Sequence, residues 1–143
     1  MKRIDISKFQ RDSSFYGQIN LLLTVKSFDL QSIRKRYLES KKNKRSGSTQ
    51  RRKLAFGGVV SLSLNKGKLL NDEVLSHLKE PRGIDFLNNK LAVSSEEKVF
   101  VLTNEVQTLE NDYFSYIHTV SFCPFDDNRL MVSSSGFDCI FEY

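Results

Sequence analysis

Three stretches of this chain spell one pattern, Asn-x-Leu followed by β-branched or small residues: Asn20-Leu21-Leu22-Leu23-Thr24-Val25, Asn89-Lys90-Leu91-Ala92-Val93-Ser94 and Asn128-Arg129-Leu130-Met131-Val132-Ser133. A repeat of this kind constrains the fold more than composition does, because each copy is one small unit that stacks on its neighbours to bury its apolar face. A second set of short strand-like runs follows each copy: Val59-Val60-Ser61-Leu62, Val99-Phe100-Val101-Leu102 and Ile140-Phe141-Glu142-Tyr143. A third set, Gly83-Ile84-Asp85-Phe86 and Thr119-Val120-Ser121-Phe122, precedes two of the copies, and Phe15 to Ile19 stands where its first member belongs. Beyond the turn residues Asn65-Lys66-Gly67 and Thr103-Asn104 come Leu69–Val74 and Val106–Leu109. These β-branched and aromatic runs, bounded by turn formers, predict four antiparallel strands per unit.

Four-stranded units spaced near 40 residues suit a propeller, in which each small sheet is one blade. His118-Thr119-Val120-Ser121-Phe122-Cys123-Pro124, Leu130-Met131-Val132-Ser133-Ser134 and Gly136-Phe137-Asp138-Cys139-Ile140-Phe141 together resemble a blade of the WD-repeat and YncE/NHL-like propellers. The resemblance implies an all-β partial β-propeller of about two and a half to three four-stranded blades. Residues 1–14 form a tail, blade one covers about 15–80, blade two about 81–117, and an incomplete blade three 118–143. Because a propeller needs about four to eight blades, an N-terminal fragment is expected, or a ring shared by several chains through unpaired blade edges.

Spacing exposes an insertion. Asn89 to Val99 is 10 positions and Asn128 to Ile140 is 12, but Asn20 to Val59 is 39. An insertion at 28–56 therefore separates the second and third strands of blade one. Leu30, Ile33 and Tyr37 in it predict one face of a short helix capped by Ser27 or Asp29. Charge concentrates there too: residues 34–53 hold ten basic side chains against the single acid Glu39, while the whole chain carries +5. Lys41, Lys42, Lys44, Arg45, Arg51, Arg52 and Lys53 predict a solvated basic loop that an acidic partner or nucleic acid would neutralise. No aromatic residue lies between Lys41 and Lys53 to stack on bases.

Catalytic signatures are scarce. Neither a Gly-x-Gly-x-x-Gly nor a phosphate loop, a His-Glu-x-x-His or a Cys-x-x-Cys occurs. Gly57-Gly58 reads as a strand kink or a close approach, Asp126-Asp127-Asn128 as a polar hairpin turn, and Ser133-Ser134-Ser135 as local hydrogen-bonding serines. The tyrosines and phenylalanine at 113, 114 and 116 read as packing between sheets. The resemblance places His118 at the start of an innermost strand, on the usual binding face, with Arg82 in the preceding inter-blade link and Asp138 in a neighbouring loop. It implies that His118 donates to Asp138 or a nearby Ser. Metal-dependent propeller oxygenases and lyases supply the enzymatic alternative, with His118 as one ligand, although the only other histidine, His77, falls in a rim strand.

No apolar run approaches the ~20 residues of a membrane span, and Asp5, Lys8, Gln10 and Arg11 interrupt any signal core. Two cysteines suit free thiols in a reducing compartment. The sequence thus predicts a cytoplasmic, non-catalytic binding scaffold without cofactor or membrane, engaging a protein partner through Arg82, His118, Asp138 and the basic insertion.

Overall fold

Runs of four to twelve residues in which apolar and polar side chains alternate, cut by Asn, Gly and Pro, can satisfy their backbone only as antiparallel meanders. The computed structural model describes residues 16–42 and 55–143. Among them lie β1 (Gln18–Val25), α1 (Leu30–Lys42), β2 (Phe56–Asn65), β3 (Lys68–Lys79), β4 (Ile84–Leu87), β5 (Lys90–Ser94), β6 (Lys98–Leu102), β7 (Val106–Glu110), β8 (Ile117–Cys123), β9 (Asp126–Ser134) and β10 (Cys139–Glu142). The protein is all-β, with three antiparallel sheets ordered β1-β2-β3, β4-β5-β6-β7 and β10-β9-β8, none of them closed. No helix among the described residues is long and apolar enough to cross a membrane.

Local chemistry explains the turns. Lys66 and Gly67 both take positive φ between β2 and β3, and Asn88 and Asn89 do so between β4 and β5. Two consecutive left-handed residues make the hairpin turn whose twist matches that of the flanking strands. At α1, Asp29 Oδ1 accepts from the Ser32 amide at 2.9 Å, and Ser27 Oγ accepts from the Asp29 amide at 3.1 Å. The expected helix is therefore present and capped by Asp29. Leu30, expected to line its apolar face, is exposed, as is Leu38.

The core lies between the second and third sheets. Ala92, Val99 and Val101 on one side meet Val120, Phe122, Leu130 and Val132 on the other, with Phe114 and Ile117 filling the end. Phe114 also meets the edges of Phe141 and Tyr143, with ring centroids 5.4 and 5.9 Å away. Asp85 on β4 fixes the registration of the two sheets: its Oδ2 accepts from the Phe122 amide at 2.7 Å and from Ser121 Oγ at 3.2 Å. Gly83 permits the close approach, since a Cβ there would lie 2.8 Å from the Val120 nitrogen.

Two expectations need correction. The first sheet has three strands among the described residues, because Gln18–Val25 runs unbroken and pairs with Gly58–Asn65 along its whole length. Gln18-Ile19-Asn20-Leu21 contains no residue at positive φ to turn the chain, and Asn20 Oδ1 instead accepts from Ser63 Oγ across the strands at 3.0 Å. Asp126-Asp127-Asn128 opens β9, and the turn falls at Pro124-Phe125. Leu91 and Leu130 consequently occupy second strands of their sheets, whereas Leu22 sits on an edge strand.

Gly57 and Gly58 are sites of close approach, as expected. A Cβ on Gly57 would stand 1.8 Å from the Val25 oxygen, and one on Gly58 2.0 Å from the Ser76 oxygen and 3.2 Å from the Phe28 ring. Two substitutions separate the forces at the main interface. Phe122→Ala removes a buried ring and is expected to cost about 3 to 5 kcal/mol, and Asp85→Ala, which strands the Phe122 amide, about 1.5 to 3 kcal/mol. Urea unfolding of the two variants measures both; a larger loss in Asp85→Ala than in Phe122→Ala would reverse this ranking of packing over hydrogen bonding.

Candidate functional site

The meander topology brings one set of strand ends together. The ends of β1, β3, β5, β7 and β9 and the beginnings of β2, β4, β6, β8 and β10 lie at the same end of their sheets. Here the first sheet meets the second through the link after β3. Thr24 Oγ1 donates to the Arg82 carbonyl at 2.6 Å, the Glu80 amide donates to the Ala55 carbonyl at 2.9 Å, and the Glu96 amide donates to the Lys79 carbonyl at 3.3 Å.

A cluster of charge occupies this junction, and Arg82 is its centre. Its Nη2 lies 3.3 Å from Glu80 Oε2 and 3.6 Å from Glu96 Oε2, and its Nη1 lies 2.6 Å from His118 Nε2. Since guanidinium only donates, Nε2 must be the acceptor and the imidazole proton resides on Nδ1. Tyr116 lies beside Arg82, its ring centroid 5.4 Å from the guanidinium carbon. Lys26, just after β1, reaches Glu80 Oε2 at 3.0 Å. Glu80 Oε1 also accepts from the Ala55 amide at 3.0 Å.

The two glutamates experience opposite fields. Burial tends to raise the Glu80 pKa, but its bonds from Ala55, Lys26 and Arg82 prevail and hold the carboxyl below its ordinary value. Glu96 is pushed up, chiefly by burial, with Arg82 opposing and the Glu80 and Glu97 charges adding to the rise. Among the described residues, its Oε2 and the Arg82 Nε are buried without a hydrogen-bond partner. The His118 pKa is lowered, first by desolvation and then by the Arg82 and Lys26 charges.

Of the residues singled out by sequence, Arg82 and His118 are brought into contact. Asp138 lies in the β9–β10 turn at the same end with φ of 52°, and among the described residues no hydrogen bond joins it to His118. His118 accepts at Nε2 from Arg82, whose guanidinium the inter-sheet link carries across the gap, and among the described residues the expected donor bond from His118 to Asp138 or a serine is not formed. Lys41 and Lys42 end α1, while Lys44, Arg45, Arg51, Arg52 and Lys53 lie outside the described residues.

Among the described residues no group of three or more His, Cys, Asp and Glu side chains could hold a metal. The His118 nitrogen facing the cluster is taken by Arg82, whose positive charge opposes a cation there. His77 lies on β3 opposite Gly58, with the Phe28 ring edge-on at 5.7 Å. Both cysteines are free thiols. Buried Ser134 does not bond locally as expected: its Oγ donates to the Tyr113 carbonyl at 2.7 Å and accepts from the Ser115 amide at 3.0 Å, tying the end of β9 to the remote link before β8.

Sequence reasoning missed Lys26, Glu80 and Glu96. Glu80-Pro81-Arg82 did offer a local signal in its adjacent opposite charges, but Glu96 arrives from the β5–β6 turn and nothing in the sequence pairs it with Arg82. It also assigned Tyr113 and Tyr116 to packing with Phe114; Phe114 is buried, but both tyrosines are exposed. Comparison with family models, with curated proteins and with solved structures finds no match.

The cluster gives a titration test. A lowered His118 pKa means that the native state resists protonation, so its share of stability declines as pH falls from the unfolded imidazole value through the depressed native one. In Arg82→Gln, the NMR midpoint of His118 is expected to rise and that of Glu96 to rise further, since Arg82 lowers both. Unmoved midpoints would remove Arg82 from the centre of the site.

Proposed function

We propose that the chain is a cytoplasmic, non-catalytic binding module whose three sheets are successive blades of an incomplete β-propeller, and that it engages an anionic partner through the end carrying Arg82 and His118. The single observation that carries this reading is the convergence of charge there. α1 emerges between β1 and β2 at this end, with Arg34 and Lys35 exposed in its first half. Lys26 and Arg82 stand where the first and second sheets meet.

Stacking of repeated antiparallel sheets supports the propeller part. β4 and β5 pack on β8, so the first strand of one sheet lies against the first strand of the next, as successive blades do about an axis. Such a frame is rigid at the strands and variable at the loops, which is why binding residues concentrate in connections. Glu80 and Glu96 are buried and face Arg82, leaving the helix cations to meet the partner.

The test is amide hydrogen exchange of the full chain with poly-L-glutamate as a minimal acidic partner. Protection is expected at residues 26–35, 111–118 and 135–139, and not at the opposite turns around Lys66, Asn88 and Phe125. Arg34→Glu with Lys35→Glu is expected to weaken binding and flatten its salt dependence by about two ions. Protection confined to the opposite turns would refute the assignment of the binding end.

A further inference from the structure

The same end of the sheets carries rings as well as cations. Phe56 is 61% exposed, Tyr113 59%, Phe137 50%, Phe28 43% and Tyr116 37%. They come from four separate stretches of chain: the segment before α1, the start of β2, the link between the second and third sheets, and the β9–β10 turn. Basic groups stand beside two of them. Lys79 Nζ lies 5.9 Å from the Phe56 ring centroid, and the Arg82 guanidinium carbon 5.4 Å from that of Tyr116. Tyr113 and Phe137 meet edge to face, centroids 5.5 Å apart and planes at 83°, so each supports the other while remaining half open to solvent.

Resting on the anionic-partner reading, we infer that the partner is a single-stranded nucleic acid, with unpaired bases stacked on these rings and phosphates on the surrounding cations. Cations alone attract any polyanion. Solvent-exposed rings with cations beside them suit a ligand that alternates flat bases with regularly spaced charge. A duplex hides its base faces within the stack, and an acidic polypeptide made of glutamate has none. The rings lacking between Lys41 and Lys53 in the sequence are thus supplied at this end by remote segments.

The experiment is fluorescence anisotropy on the full chain with labelled oligo(dT) and oligo(U) of about 12 nucleotides, within the usual range of site sizes. A duplex of the same length and poly-L-glutamate serve as competitors. A single strand of either sugar is expected to bind more tightly than both competitors. Tyr113→Leu with Phe137→Leu, which keeps apolar bulk but removes two π faces, is expected to weaken single-strand binding by about 5- to 30-fold and to leave poly-L-glutamate unaffected. Tyr113→Phe retains affinity, and Phe137→Leu alone gives an intermediate loss should the double variant fold poorly. Equal binding of single strand, duplex and poly-L-glutamate, unchanged by the leucine substitutions, would overturn the nucleic-acid inference and leave the anionic-partner reading standing. Failure of every polyanion to bind removes both.

Discussion

Each of the three sheets is a single layer of three or four strands, too thin to hide both of its faces, and the structure depends on β4 and β5 lying against β8. That contact buries the valines, phenylalanines and leucine of the main core, and non-directional burial supplies most of the free energy. Directional groups choose its geometry. Asp85 accepts two bonds from β8, and Gly83 leaves room for the Val120 backbone. A sheet slipped by one residue would present the opposite set of side chains and lose both. At the other end of the same interface, Lys90 Nζ donates to the Asp127 carbonyl and Asn128 Oδ1, each at 3.0 Å, closing the contact from the far side.

Placement of β8 against β4 also brings His118 to Arg82. The arginine spans a gap between sheets with two carboxylates on one side and a neutral imidazole on the other. Both glutamates face the same guanidinium, yet their protonation is driven in opposite directions. Glu80 has an amide, an ammonium and a guanidinium as donors, whereas among the described residues Glu96 Oε2 has only the 3.6 Å approach of Arg82. Buried charge is tolerated where hydrogen bonds replace water, so the glutamate with fewer donors is the one pushed toward its neutral form. Arg82 therefore acts as the keystone of the charge at this end, while Arg34 and Lys35 on α1 are open to solvent.

Legibility in the sequence varied with the range of the interaction. The strands at 84–87, 90–94, 98–102 and 106–110 were readable because alternation and turn chemistry are local, and so was α1, from Asp29 and the spacing of Leu30 and Ile33. The first unit was misread because its expected first strand continues straight into the second: Asn20, a turn former by type, is held in the ladder opposite Ser63, and pairing with β2 from Gln18 to Val25 keeps the strand extended. At the site, Arg82 and His118 were identifiable, but their relation was not. A histidine at that point resembled a donor to Asp138, and only the distance between sheets makes it an acceptor from Arg82.

What the sequence alone determined is the all-β character, the repeated antiparallel units and the concentration of positive charge between β1 and β2, all properties of residues close together along the chain. Tertiary structure decided which charges are neutralised, which aromatic side chains stay exposed and which segments share one end. Phe114 is buried while Tyr113 and Tyr116 beside it are open, and Glu96 faces an arginine fourteen positions away. The reason is that solvent exposure and electrostatic field are set by neighbours in space, and the sheets that supply those neighbours are joined by packing between strands that local pattern does not pair.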